Sequence, residues 1–300
     1  MSLELENLQP GTTVKVKSLQ EITATLDTDC SLEGIPFQAE MRKFCGKKLI
    51  IVDNIDRIYI EGTGLAGIKN VVLLDGARCT GEAHRGCQRR CLFLFKTDWI
   101  TTEDTADDSN DEPDIDLYAI KPGEELLPCH GQSCVLNQAA GRLKYRHFRQ
   151  YTRGINWPMF VFLSGINSRW YLGKLKDSIL GRKQPESAKK AKSAAQSSLD
   201  LKHGDIVEVK SKKEIFNTLN RRARNRGLAF VGSMIRYCGG RYCVLDNVRY
   251  LIDENTNTFR ELTDAVMLED VICTGEYYGG CPRRCYWLWR SDWLKKVSSD

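Results

Sequence analysis

One thirteen-residue pattern occurs twice in this chain of 300 residues: C-T-G-E-x-x-x-G-C-x-R-R-C, at positions 79–91 and again at 273–285. Cys79, Cys87 and Cys91 therefore correspond to Cys273, Cys281 and Cys285. A fourth cysteine lies upstream of each trio in an aromatic-Cys-Gly step, Phe44-Cys45-Gly46 and Tyr237-Cys238-Gly239. The match extends past the sulfurs. Residues 14–26 pair with 207–219, Phe37 and Met41 with Phe230 and Met234, and Asp98-Trp99 with Asp292-Trp293. The offset is 193 residues as far as Asn54 and 194 from Cys79 onward. One module has been duplicated, and two copies of one pattern are expected to bury equivalent faces in equivalent folds.

Each copy shows the same local signals. Alternation at 13–17 and 206–210 predicts a strand. Ser18-x-x-Glu21 and Ser211-x-x-Glu214 follow with capping-box spacing, so short helices should run to about Leu26 and Leu219. Apolar stretches at 49–60 and 242–252 read as a strand pair or hairpin, and those at 71–77 and 265–272 lead into the cysteine trios as further strands. Leu92-Phe-Leu-Phe and Tyr286-Trp-Leu-Trp close the modules. The expected fold class is α+β and β-rich, in two small homologous modules, for which an SH3-like barrel is one closure.

The domain plan that follows is a first Cys-rich module at 1–100, an acidic linker at 101–116, a basic and aromatic middle segment at 117–183, a polar linker at 184–203 and a second Cys-rich module at 204–300. With 42% hydrophobic residues the chain has enough apolar side chains for a core in each module. The net charge of +5 conceals segregation. Thirteen Lys and Arg between Arg142 and Lys192 face only Asp177 and Glu186, whereas 103–116 carries eight acids and no base. Such blocks predict solvated or interacting segments.

Nothing in the sequence reaches the roughly 18 apolar residues of a spanning helix, and MSLELENLQPG has no secretory pattern. A cytoplasmic, reducing setting is the expectation, and there clustered thiols read as metal ligands before disulfides. Each module is expected to hold one metal through four cysteines: Cys45, Cys79, Cys87 and Cys91 in the first, Cys238, Cys273, Cys281 and Cys285 in the second. Zinc, two per chain, is the leading candidate, because a closed thiolate site stabilises a small module. The alternative is a 4Fe-4S cluster in each, since clusters accept irregular cysteine spacing. The i, i+4 spacing of Cys87 with Cys91 would put both sulfurs on one face of a helical turn. Arg89-Arg90 and Arg283-Arg284 would offset the thiolate charge. His84 is an alternative ligand in the first module, although its counterpart is Tyr278. Cys30 and Cys243 read as core residues, and Cys129-x4-Cys134 as a pair too small to close a site.

The middle segment interleaves bases with Tyr145, Phe148, Tyr151, Trp157 and Trp170. Packing of these aromatics on the modules is the plainer reading. Nucleic-acid contact through Arg142, Lys144, Arg146, Arg149 and Arg153 comes next, and peripheral membrane contact through 157–163 last. Another protein or a nucleic acid is the expected partner. No phosphate loop, dinucleotide fingerprint or nucleophile elbow is present, and none of the histidines at 84, 130, 147 and 203 recurs between the copies. The pattern C-x-G-x-x-H-x-G-C-x-x-x-C, followed by aromatics and Asp-Trp, resembles a group of uncharacterised cysteine-rich bacterial proteins; that resemblance implies no activity. Whether the chain is an enzyme stays open. The expected role is a metal-binding tandem-module scaffold or accessory factor, with an iron–sulfur redox protein as the alternative.

Overall fold

The computed structural model describes residues 8–82, 86–102, 131–141, 199–220, 222–254 and 256–297. The chain divides into two compact units. The first covers Met1–Tyr151 together with Tyr250–Arg260 and Cys281–Cys285; the second covers Thr152–Arg249, Glu261–Gly280 and Tyr286–Asp300. The expected module boundaries at 1–100 and 204–300 are thus crossed by two short pieces of the second repeat, which are compact with the first.

The first repeat runs β1 (Thr13–Val16), α1 (Leu19–Thr23), the small hairpin β2 (Ser31–Leu32) and β3 (Ile35–Pro36), and a 3-10 segment (Ala39–Phe44). It continues through the long strands β4 (Lys48–Ile60) and β5 (Gly64–Arg78), then β6 (Leu92–Lys96), a 3-10 turn (Thr97–Trp99) and β7 (Ile100–Thr101). A separate helix α2 (Gln132–Ala139) follows. The second repeat reproduces this order as β8 (Ile206–Val209), α3 (Lys212–Thr218), β9 (Arg224–Asn225), β10 (Leu228–Ala229), β11 (Arg241–Asp253), β12 (Thr258–Ile272), β13 (Tyr286–Arg290) and β14 (Leu294–Lys296). The protein is β-rich with few helices, and its two sheets have matching orders, β6-β5-β4-β1-β7 and β13-β12-β11-β8-β14. Even the register repeats: Thr13 faces Ile50 where Ile206 faces Cys243, and Lys15 faces Thr101 where Glu208 faces Lys295.

This order forces each sheet to curl. Strands β6 and β7 lie at opposite edges of the sheet, yet only the turn Thr97–Trp99 separates them. Five flat strands about 4.8 Å apart would span roughly 19 Å, whereas three 3-10 residues advance about 6 Å. Bulges along β4 and β5, between Ile51 and Asp53 and between Ile55 and Arg57, supply the bend. Inside the curl of the first unit sit Val14, Val16, Ile22, Met41, Leu73, Phe95 and Trp99. In the second, Val207, Val209, Ile215, Met234, Leu268, Trp289 and Trp293 form the equivalent core.

Local chemistry explains the rest. Ser18 Oγ accepts from Glu21 N at 3.3 Å while Ser18 N donates to the Glu21 carboxylate at 2.9 Å. Ser211 and Glu214 do the same at 3.4 and 3.0 Å. The Asp-Trp pairs open 3-10 turns whose indoles are buried, each donating to a helix-end threonine: Trp99 Nε1 to Thr25 Oγ1 at 3.0 Å, Trp293 Nε1 to Thr218 Oγ1 at 2.9 Å. Strand β6 is buried at every residue, which accounts for its unbroken apolar run. Its outer edge is satisfied by one side chain of α2. Gln132 Oε1 accepts from Leu94 N at 2.8 Å, and Gln132 Nε2 donates to Leu94 O at 3.0 Å and to Pro36 O at 2.9 Å. Among the described residues no helix is long and apolar enough to cross a membrane.

Candidate functional site

The two C-x-R-R-C loops have a local cause for their shape. Gly81 has φ +89°, and a Cβ there would collide with the Cys87 peptide, so the chain between Cys79 and Cys87 can double back only over glycine. Gly86 N donates to Gly81 O at 2.8 Å and Cys79 N to Cys91 O at 2.9 Å, which ties the three cysteines into one knot. The segment from Cys87 to Cys91 is a non-helical turn, so the condition under which i, i+4 spacing aligns the two sulfurs on one helical face is not met. Arg90, and equally Arg284 in the second loop, adopts a left-handed φ of 51° and 49°, which ends any helical path.

Both loops belong to the first unit, and there each holds a strand end of the other repeat. Cys87 Sγ accepts from Ile252 N at 3.4 Å while Arg89 Nε donates to Ile252 O at 2.7 Å. Cys281 Sγ accepts from Tyr59 N at 3.3 Å while Arg283 Nη1 donates to Tyr59 O at 3.3 Å. Tyr59 and Ile252 occupy matching positions, so the exchange is reciprocal. Sulfur takes the N–H and the arginine two residues on takes the C=O of one and the same residue. Arg78 Nη2 adds a bond to Arg284 O at 3.1 Å, and Gln88 N one to Tyr250 O at 3.0 Å.

Behind these bonds lies a buried charge network. Glu254 is fully enclosed and receives Arg283 through both guanidinium nitrogens, one at 2.8 Å. Arg89 reaches it at 3.5 Å and Glu61 at 2.9 Å. Burial alone would raise the Glu254 carboxyl, yet the Arg283 guanidinium, aided by Arg89, holds it down at about 2. Burial disfavours the charged guanidinium of Arg283, and the Glu254 charge more than compensates. Arg283 Nη2 also donates to Ser133 Oγ at 3.2 Å, whose hydroxyl donates to Cys91 Sγ at 3.6 Å, and lies 3.9 Å from that sulfur itself.

These groups surround a cavity of about 30 Å³, lined by Cys79, Cys87, Cys91, Gln132, Ser133 and Arg283 among others. It has room for one small occupant such as a water or an ion. Burial pushes the Cys79 thiol well up, reinforced by the Glu40 carboxylate and by Cys91 and Cys87. Cys87 is likewise raised by burial against the opposing pull of backbone N–H groups and Arg89. Cys285 is pushed up to about 12 by burial, with Arg283 opposing and Cys91 and Cys281 adding to the rise. Five thiols, Cys79, Cys87, Cys91, Cys281 and Cys285, therefore share one electrostatic neighbourhood inside the first unit. Arg89 opposes the rise at Cys87 and Arg283 opposes it at Cys285, and in both burial outweighs the cation.

The other expected ligands sit elsewhere. Cys45 caps the 3-10 segment Ala39–Phe44, and burial raises its thiol to about 11 with Arg42 opposing. Cys238 caps the matching segment Gly232–Tyr237, also at about 11 through burial, with Lys212 opposing. Neither lines the thiol cavity. Cys273 lies in the second unit, where its sulfur accepts from Gly275 N at 3.3 Å. Cys134 falls on α2. His84, Cys129, Arg142, Lys144, Arg146, Arg149 and Arg153 lie outside the described residues. Among the described residues no three His, Cys, Asp or Glu side chains are gathered as the ligands of a metal ion.

Four contributors escape sequence reading. Glu61 and Glu254 stand at the same 193-residue offset as the other matched pairs, so the repeat itself carried their signal. Gln132 and Ser133 have no counterpart in the duplication, and a short helix with a mixed face gave none. No family model matches the chain, and no curated protein or solved structure matches it either.

Proposed function

We propose that this chain is a thiolate metal-binding protein that works as a binding or scaffold factor, with a nucleic acid or another protein as its partner. The observation that carries the reading is that Cys79, Cys87 and Cys91 all line one small buried cavity, with Arg283 and Ser133 on Cys91 and a main-chain N–H on Cys87. Hydrogen-bond donors and a guanidinium directed at sulfur stabilise the thiolate form that a soft metal needs. The sulfurs would close on the ion as it displaces their protons. In this reading each repeat is an SH3-like barrel, the setting is cytoplasmic and reducing, and the eight matched cysteines, four from each repeat, are the proposed ligands of two zinc ions per chain. Cys45 and Cys238 are the weakest members of the set, because Cys45 stands off the cavity and Cys238 is its match.

A second reading is favoured by one specific observation. Cys281 and Cys285 lie in the same unit as the first trio, and five sulfurs with N–H···S bonds and a buried cation suit an iron–sulfur cluster as well as zinc. Metal analysis and a visible spectrum on protein purified without oxygen or chelator separate the two. Colourless protein with about two zinc supports the first reading; brown protein with iron and acid-labile sulfide supports the second. Metal-free protein with unperturbed folding overturns both. Cys87→Ser and Cys281→Ser should each lower the metal content, whereas Cys45→Ser should leave it unchanged if the cavity cysteines are the ligands.

A further inference from the structure

The second unit contains a cavity of about 320 Å³ at the end of α3, walled by Phe216, Phe230, Tyr277 and Tyr278, with Arg222 and Arg224 at its edge. It is distinct from the thiol cavity and lies wholly within that unit. Its size is at the lower end of the roughly 300–1,000 Å³ of small-ligand sites. Phe216 and Phe230 meet edge to face at 5.9 Å, and Tyr278 lies tilted over Trp287 at 6.4 Å, which fixes the aromatic walls. Both arginines are exposed. Arg224 Nη1 donates to Gly227 O at 3.0 Å, and Arg222 forms no ion pair among the described residues. The nearby carboxylate, Glu276, is buried and already neutralised by Arg236.

Duplication supplies an internal control. At the positions matching Phe216, Arg222 and Arg224 the first repeat has Thr23, Asp29 and Ser31, and at those matching Tyr277 and Tyr278 it has Ala83 and His84. The core residues of the same region are retained, Leu26 and Phe37 matching Leu219 and Phe230. The second copy therefore places Phe216, Arg222, Arg224, Tyr277 and Tyr278 at this pocket where the first carries other side chains, while the core beneath is shared. The first repeat forms the same strand order with Thr23, Asp29 and Ser31 at three of these positions.

We infer that this pocket binds a nucleoside phosphate, with the base against the Phe and Tyr walls and the phosphate on Arg222 and Arg224. Flat rings stack a base without regard to its identity, and guanidinium groups match phosphate geometry in two-point bonds. The same chemistry is presented by a free nucleotide and by a phosphate-linked base of a single strand.

The test is titration of the full-length protein, followed by tryptophan fluorescence and calorimetry, with adenosine monophosphate, uridine monophosphate, adenosine, inorganic phosphate and a short single-stranded RNA. Saturable binding of a monophosphate, at least about tenfold tighter than adenosine or phosphate alone, is expected. Arg222→Asp and Arg224→Ser, which install the first-repeat residues at exposed positions, should each weaken it about tenfold or more without moving the unfolding midpoint. Phe216→Thr should weaken it too; were that variant to lose its fold, the arginine variants still decide. RNA binding that is tighter than the monophosphate and lost in Arg222→Asp assigns the site to a strand, and monophosphate binding without RNA binding assigns it to a free nucleotide. Absence of binding by both, phosphate binding as tight as the monophosphate, or binding indifferent to Arg222→Asp and Arg224→Ser overturns the proposal.

Discussion

Arg283 and Glu254 meet where neither reaches water, with side chains 9% and 0% exposed. Replacing one partner leaves the other charged in a low-dielectric site, so Arg283→Met should cost about 3–5 kcal/mol in urea-induced unfolding. The double variant Arg283→Met with Glu254→Leu should recover much of that loss, because no uncompensated charge then remains. A double variant as unstable as the single one would show that the pair's role lies in its bonds to Tyr59 and Ser133. The buried indoles make a second residue-scale test. Thr25→Val orphans Trp99 Nε1, and Thr218→Val orphans Trp293 Nε1; each should cost about 1–3 kcal/mol. What the sequence concealed at this scale was role rather than identity. Arg89 and Arg283 were legible as cations beside thiols, but each also donates to a main-chain carbonyl, of Ile252 and of Tyr59, and a main-chain partner leaves no mark in sequence.

Elements with a local cause were legible, and those with a tertiary cause were not. The capping boxes located α1 and α3 because Ser and Glu three residues apart satisfy helix-end donors whatever the rest of the chain does. Glu214 shows the effect in its titration: the Ser211 hydroxyl, then Lys295, hold its carboxyl down at about 2 from an ordinary 4.5. A folded-state pKa below the unfolded one contributes stability that is present above about 4.5 and lost as pH falls towards 2. Ser211→Ala should therefore lower stability at neutral pH by about 1 kcal/mol and flatten the loss between these limits, read from unfolding midpoints across pH. The long arms of β4 and β5 were only half visible. Gly64 to Gly67 breaks the alternation, and their pairing is dictated by the hairpin. Helix α2 earns its place through Gln132, whose amide stands in for a neighbouring strand along β6. Gln132→Leu should leave the Leu94 N–H and C=O buried and unmet, costing about 1–3 kcal/mol per group, with faster amide exchange confined to β6 as the readout.

At the scale of the molecule, duplication was plain while its consequence was hidden. A repeat offset reveals that two modules exist but not that residues 250–260 and 281–285 complete the first unit. That completion is made by contacts more than 160 residues apart in the chain, which a pattern of local periodicity cannot encode. A chain ending at residue 249 would leave Cys87, Arg89 and the Tyr59 amide without the partners that hold them. Its first repeat should unfold at lower urea and with a shallower transition than in the full chain. An unchanged transition would mean that the first repeat is self-sufficient.

The reciprocal clasp has an evolutionary reading as well. Each motif holds Tyr59 or Ile252 through that residue's amide hydrogen and carbonyl oxygen, and every residue but proline offers both. The gripped side chain is consequently outside the contract, and it has in fact drifted to Tyr59 in one copy and Ile252 in the other. Such a joint tolerates divergence in everything except the hands that hold it.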